Sequence, residues 1–266
     1  VKITLDTISF TVTAPGAAGA AAAVFAGDSA FVRSTGQDIS GRLLAAWTNA
    51  QAVGFTQIVF PYGHDTTRNI RYRNTALTPV NQIPLSAKQP MKSQDLLTVT
   101  QAGSAVAGDV ETVHLLMAYH DMAGGSDKYI SNEEFEQRCE ELVTIENTVT
   151  ATAASTYSGA QALNAVTPTL KANRNYAILG ARVGANGGAL TIRGQDTGNL
   201  RAAIPCNQLT PDIPNSWFVQ LGAWHGLPVI PVINAANAAN TFIELATNEL
   251  LTAVPYSLTL ALLEDK

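Results

Sequence analysis

Asp65-Thr66-Thr67-Arg68-Asn69-Ile70-Arg71 returns as Asp196-Thr197-Gly198-Asn199-Leu200-Arg201, 130 to 131 residues further along a chain of 266. Leu77-Thr78-Pro79 then returns as Leu209-Thr210-Pro211 at an offset of 132, which keeps the register of the first match. Around these strings the two halves present the same features in the same order. A strand, an Ala/Gly/Asn-rich connection and a second strand run as Leu96 to Gln101, 102–109 and Val110 onward, and again as Val229 to Ile233, 234–240 and Thr241 onward. Each half closes on an apolar strand that ends in Asp, at Leu115 to Asp121 and at Leu258 to Asp265. Four matches in one order imply a tandem duplication, with each half long enough to close its own core.

The building block is the strand. At least ten short β-type runs are bounded by Gly, Asn, Pro or Asp: Lys2 to Val12, Phe55 to Phe60, Asp95 to Gln101, Glu111 to Tyr119, Tyr176 to Val183, Ala189 to Arg193, Ser216 to Leu221, Val229 to Ile233, Thr241 to Ala246 and Ser257 to Leu263. Gly184-Ala185-Asn186-Gly187-Gly188 reads as a hairpin turn between two of them. Two stretches read as helix. Ser131 and Glu134 fit a capping box, with Phe135, Cys139 and Leu142 at helical spacing behind it, which predicts a helix over 131–146. Leu43, Leu44 and Trp47 suggest a second, over 41–50. The expected architecture is all-β: two tandem eight-stranded jelly-roll barrels or sandwiches joined by a short helix, with an N-terminal roll over 1–125, a connecting helix over 126–147 and a C-terminal roll over 148–266.

Composition narrows the function. Charged residues make up 14% of the chain, against roughly 25% in an ordinary soluble domain, as expected where much of the surface is covered by neighbours. The net charge of −5 offers no basic field to a phosphate backbone, so direct nucleic-acid binding is not expected. No 18-residue uncharged apolar run is present, and no membrane span is expected. Cys139 and Cys206 lie far apart, outside any CxxC spacing, and read as two buried thiols.

Residues able to carry chemistry are sparse. His64-Asp65 and His120-Asp121 pair imidazole with carboxylate in sequence, but neighbours on a strand point to opposite faces, and His114 and His225 stand apart from such pairs. No GxSxG, SxxK or GxxxxGK[ST] is present, and no enzyme activity is expected. Ile130-Ser131-Asn132-Glu133-Glu134-Phe135 has the letters of an EF-hand exit, yet that register puts Ala123 and Gly125 at the first and third loop positions and Lys128 at the sixth. Asp121, Asp127 and Glu134 remain as the side chains able to hold a hard cation, calcium, in another geometry. Arg68, Arg71 and Arg73 form a small basic cluster that could contact an acidic lipid or nucleic acid or, given the negative net charge, an acidic residue of a neighbouring subunit. Trp217, Phe218, Trp224 and His225 form the one aromatic-rich stretch, read as strand core.

The tandem β-rich halves, the matched Asp-Thr…Asn-Ile-Arg and Asp-Thr…Asn-Leu-Arg segments, the intervening helix and the low charge together resemble the double jelly-roll major capsid proteins of tailless, membrane-containing icosahedral phages, the corticovirus and tectivirus groups. The resemblance covers nearly the whole chain and rests on architecture, with no diagnostic motif. It implies a virion protein, a homotrimer forming a pseudo-hexagonal capsomer, and a lattice of further copies, with an inner membrane or minor capsid proteins as further partners. Members of the family that hold calcium at subunit boundaries keep Asp121, Asp127 and Glu134 in view. The alternative from another class is a carbohydrate-binding protein of two β-sandwich domains, with Trp217, Trp224 or Tyr62 as its stacking platform.

Overall fold

A computed structural model describes residues 2–14, 20–33, 41–61, 69–74, 91–122, 124–184, 187–206 and 215–265. Within the first half lie β1 (Ile3–Thr13), β2 (Ala20–Ala21), β3 (Ala23–Val24), β4 (Gly41–Asn49), β5 (Gly54–Val59), β6 (Ile70–Asn74), β7 (Thr98–Ala102) and β8 (Val110–His120). They form sheet I, in the order β2-β7-β5-β6, and sheet II, in the order β3-β1-β8-β4. Met91 extends sheet II by a bridge to Gly41. After a connection that contains β9 (Tyr129–Ile130) and α1 (Asn132–Arg138) come β10 (Cys139–Ala151), β11 (Tyr157–Ala162), β12 (Asn175–Val183), β13 (Gly187–Arg193), β14 (Ala202–Pro205), α2 (Trp217–His225), β15 (Ile230–Asn234), β16 (Phe242–Thr247) and β17 (Leu251–Leu263). These form sheet III, β11-β16-β13-β14, and sheet IV, β10-β17-β12-β15-β9.

The duplication read from short strings is a duplication of topology. If the short β3 is set aside and Met91 is taken as the sixth position, the strands of the first half run 1-8-3-6 in one sheet and 2-7-4-5 in the other. The second half, from β10 to β17, runs 1-8-3-6 and 2-7-4-5 as well. The pairs 1·8, 2·7, 3·6 and 4·5 are those of one long antiparallel ribbon rolled on itself, which is a jelly roll. All of the pairings are antiparallel.

The sheets stack I, II, III, IV. One core cluster joins Ile8, Phe10, Val113 and Leu115 of sheet II to Ile58, Tyr72 and Val99 of sheet I. The other joins Leu5, Trp47, Leu116 and Ala118, on the opposite face of sheet II, to sheets III and IV. β13 lies against β8 and β4, and β14 against β1. Sheets II and III are therefore covered on both faces, and their strands lose the apolar/polar alternation that a half-exposed sheet shows.

That double burial explains one departure from the sequence reading. Residues 41–50 form no helix. They are β4, buried along nearly its whole length, so that Leu43, Leu44 and Trp47 need no period-two pattern; a bulge between Leu43 and Ala45 shifts the faces again. The helix over 131–146 starts as expected, with Ser131 Oγ accepting from the Glu134 N–H, but it ends at Arg138. From Cys139 the chain is β10, paired with β17 along its length. The β-branched residues Val143, Thr144, Ile145, Thr148 and Val149 favour that partner over a helix. The connecting helix of 126–147 is thus one short helix flanked by β9 and the first strand of the second roll.

Residues 217–221 are helical where a strand over 216–221 was expected. α2 buries Trp217, Phe218 and Leu221 on one face and ends at Gly226, whose φ of 63° suits glycine. β12 and β13 do not pair as the expected hairpin either, since β12 belongs to sheet IV and β13 to sheet III; Ala185 and Asn186 between them lie outside the described residues. Among the described residues no helix is long and apolar enough to cross a membrane.

Candidate functional site: the charged seam between the two rolls

Where sheet II meets sheet III, the apolar contact is interrupted by ionisable side chains. Asp6 on β1 stands among apolar and hydroxyl-bearing residues, with its side chain only 2% exposed. It pairs with Arg33 and accepts from the Arg201 N–H at 3.2 Å. Asp28, after β3, is 2.9 Å from Arg201 Nη1, and Glu244 on β16 is 3.0 Å from Arg201 Nε and 2.8 Å from Arg193 Nη2. Three carboxylates thus meet three guanidiniums, and the charges cancel inside the seam. Arg201 binds the two rolls most directly. Its guanidinium lies 4.4 Å over the Tyr157 ring, and its carbonyl accepts from Thr7 Oγ1 at 3.0 Å.

The protonation of these groups follows from burial and pairing. Desolvation raises Asp28 to about 6 against the attraction of Arg201, with Asp6 pushing it in the same direction as burial. Burial also raises Asp6, more than Arg33 lowers it. Burial of Glu244 works against ionisation, but hydrogen bonds from Arg193 and Arg201 outweigh it and hold its carboxyl below the ordinary value.

Beside the charges runs a neutral chain. Ser9 Oγ is 2.7 Å from His114 Nδ1 and is also hydrogen-bonded to the Tyr157 hydroxyl. His114 Nε2 is 3.1 Å from Thr112 Oγ1. The imidazole is fully buried between Phe25 and Trp47, at centroid distances of 5.9 and 5.5 Å, and desolvation lowers its pKa to about 3, so it stays neutral. Trp47 in turn meets Trp217 edge to face at 5.9 Å and donates Nε1–H to the Gly188 carbonyl at 2.8 Å. Trp47→Phe, which keeps most of the ring and removes that donor, is expected to lower the unfolding free energy by about 1–3 kcal/mol in a urea titration. An unchanged midpoint would mean that the bond contributes nothing to the seam.

Asp121, Asp127 and Glu134 each have a cationic or N–H partner. Asp121 accepts from the Lys2 N–H at 2.8 Å, Asp127 lies 3.9 Å from Lys2 Nζ, and Glu134 is 2.7 Å from Arg138 Nη1. Asp127 and Glu134 border one hollow of about 410 Å³ with Asp265, Lys128 and Arg138; Asp121 does not line it. Among the described residues no three His, Cys, Asp or Glu side chains gather as they would around a metal ion. Of the histidines, His225 donates Nε2–H to the Leu44 carbonyl at 2.9 Å, and burial lowers its pKa; burial lowers His120 likewise. His64, Arg68 and Tyr62 lie outside the described residues. Trp217 is fully buried, with Nε1 donating to the Ala203 carbonyl, whereas Trp224 is 50% exposed. Cys206 is buried as expected, but Cys139 is only half-buried, and both are free thiols.

The seam was not read from the sequence. Its signal was Asp6, a carboxylate amid apolar and hydroxyl-bearing residues in the first strand, together with Arg201 at the end of the repeated Asp-Thr…Arg string.

No family model matches this chain, and no curated protein matches it. Among solved structures, the crystal structure of PBSX exported protein XepA is similar over 94% of this chain and 88% of that chain, with 10% identity and a TM-score of 0.23. A likeness of that size carries no inference about this chain.

Proposed function

We propose that this protein is a structural subunit of an icosahedral virus shell, a major capsid protein that works by assembly and performs no reaction. The observation that carries the reading is the same 1-8-3-6 and 2-7-4-5 roll built twice in one chain, the two rolls meeting through a shared apolar cluster. A roll hides its strands in two packed sheets and leaves broad outer faces free for lateral contacts, which suits a tile better than a pocketed catalyst. The seam points the same way. Its ionisable groups pair with one another and His114 is enclosed, so among the described residues the most polar part of the interior serves to hold the two rolls together. On this reading three copies form a pseudo-hexagonal capsomer, and capsomers tile a lattice.

The test is the mass of the purified protein by light scattering over a range of concentrations. A trimer of the 28.0 kDa chain, or larger particles, is expected. A monomer at every concentration overturns the reading.

A further inference from the structure

The two rolls share an internal marker that lays one on the other. In each, the third strand bulges against the eighth: between Leu43 and Ala45 opposite Met117 and Leu116, and between Ile178 and Gly180 opposite Leu260 and Thr259. The bulges equate Leu116 with Thr259. Pairing across to the first strand then equates Leu5, Thr7, Ser9 and Thr11 with Leu142, Thr144, Glu146 and Thr148. The letters agree, since Leu5-Asp6-Thr7-Ile8-Ser9-Phe10-Thr11 and Leu142-Val143-Thr144-Ile145-Glu146-Asn147-Thr148 share Leu, Thr, Ile and Thr at matching places.

Their surroundings differ. In the first roll the row is the seam: Leu5 is fully buried, Thr7 Oγ1 donates to Arg201 O, Ser9 Oγ meets Tyr157, and Thr11 Oγ1 is 2.7 Å from Ser155 Oγ. In the second roll the same row faces out from sheet IV. Leu142 is 64% exposed, and Thr144, Glu146 and Thr148 are exposed beside it. Glu146 and Thr148 edge an open hollow of about 520 Å³ with Arg182, Pro255 and Ser257.

The opposite end of the stack is the outward face of sheet I, the counterpart of the sheet III face that fills the seam. It presents Phe55, Arg71 and Arg73. The Arg71 guanidinium lies 3.7 Å from the Phe55 ring centroid, and neither arginine forms a salt bridge with a described residue. One free face thus carries an exposed leucine, Glu146 and, in register two strands away, Arg182, and the other an aromatic ring and two guanidiniums, and none of these charged groups has a salt bridge to a described residue.

We propose that the outward face of sheet IV in one copy receives the outward face of sheet I in the next, repeating between chains the contact that joins the two rolls within the chain. The inference rests on the shell-subunit reading and supplies its contact surface. Leu142 takes the buried place that Leu5 holds in the seam, and Glu146 meets Arg71 and Arg73. Such a contact is head to tail, so it closes into a ring or propagates; it does not stop at a twofold dimer.

Sedimentation velocity of the full chain tests it, with wild type, L142D, R71E/R73E and the charge-swapped combination E146R/R71E/R73E, each checked for an unchanged melting temperature. L142D and R71E/R73E are expected to weaken association at least about tenfold, and E146R/R71E/R73E to recover part of that loss. If wild type, L142D and R71E/R73E all assemble alike, this contact is wrong while the shell reading stands. A wild type that stays monomeric overturns both.

Discussion

Arg201→Ala is expected to destabilise the protein by about 3–5 kcal/mol, the usual cost of removing one partner from a buried ion pair. The reason lies in what the substitution leaves behind. The Asp28 and Glu244 side chains are 3% and 6% exposed, and both turn to the Arg201 guanidinium. Glu244 retains Arg193, whereas among the described residues Asp28 retains only the Ser9 N–H, at 3.2 Å. Asp28 is therefore the group stranded in a low-dielectric seam, and the double variant R201A/D28N is expected to recover part of the loss by removing the stranded charge. Guanidinium chloride titrations of the wild type and both variants measure this. A loss under about 1 kcal/mol for R201A would show that the seam relaxes to admit water, contrary to a closed contact between the rolls.

The second large effect is a dependence on pH. His114 has its folded pKa lowered to about 3 from an ordinary 6.5 by desolvation. The neutral ring therefore contributes stability that is fully present above pH 6.5 and is lost as the pH falls toward 3. Its full size is on the order of 5 kcal/mol, at 1.36 kcal/mol per unit. Asp28 acts with the opposite sign. Because its folded pKa is raised to about 6 from 3.8, its contribution is present below pH 3.8 and is lost as the pH rises through 6. Between pH 6 and 4 the two oppose each other and nearly cancel, each changing by close to one proton, so the larger shift of the histidine shows in the net fall between pH 7 and 6 and again below pH 4. The expected result is a melting temperature that falls on acidification below pH 6.5 in the wild type and falls distinctly less in His114→Gln, which keeps polar atoms near Ser9 and Thr112. Equal slopes would mean that His114 is solvated in the folded protein.

The fold was legible where the chain carries local signals and illegible where tertiary burial overrides them. Residues 3–12, 55–59, 111–119 and 257–263 read as strands and are strands, because β-branched and apolar runs bounded by turn residues state their preference locally. β4 was misread because a sheet covered on both faces has no alternation to display. The span from 139 to 146 was misread because its Glu-rich letters satisfy a helix as readily as an edge strand, and only pairing with β17 decides between them. The aromatic run at 217–225 carries no strong helix signal of its own, and it folds as α2 where Trp217 can reach both Trp47 and the Ala203 carbonyl.

The candidate site shows the same division. Asp6 and Arg201 are visible as letters, but their meeting joins residues nearly two hundred positions apart, and no periodicity announces a contact of that span. The seam became intelligible only through the sheet order. The exposed row on β10 became so once the bulges had set the register, although Leu, Thr, Ile and Thr had been repeating in both rolls throughout.

Electron microscopy of the purified protein at a concentration where it has assembled tests the central claim most directly. The account predicts a ring of lobes with threefold symmetry, two lobes per chain, each lobe meeting its neighbours face to back in the manner of sheets II and III. Isolated two-lobed particles, or dimers related by a twofold axis through like faces, would contradict it.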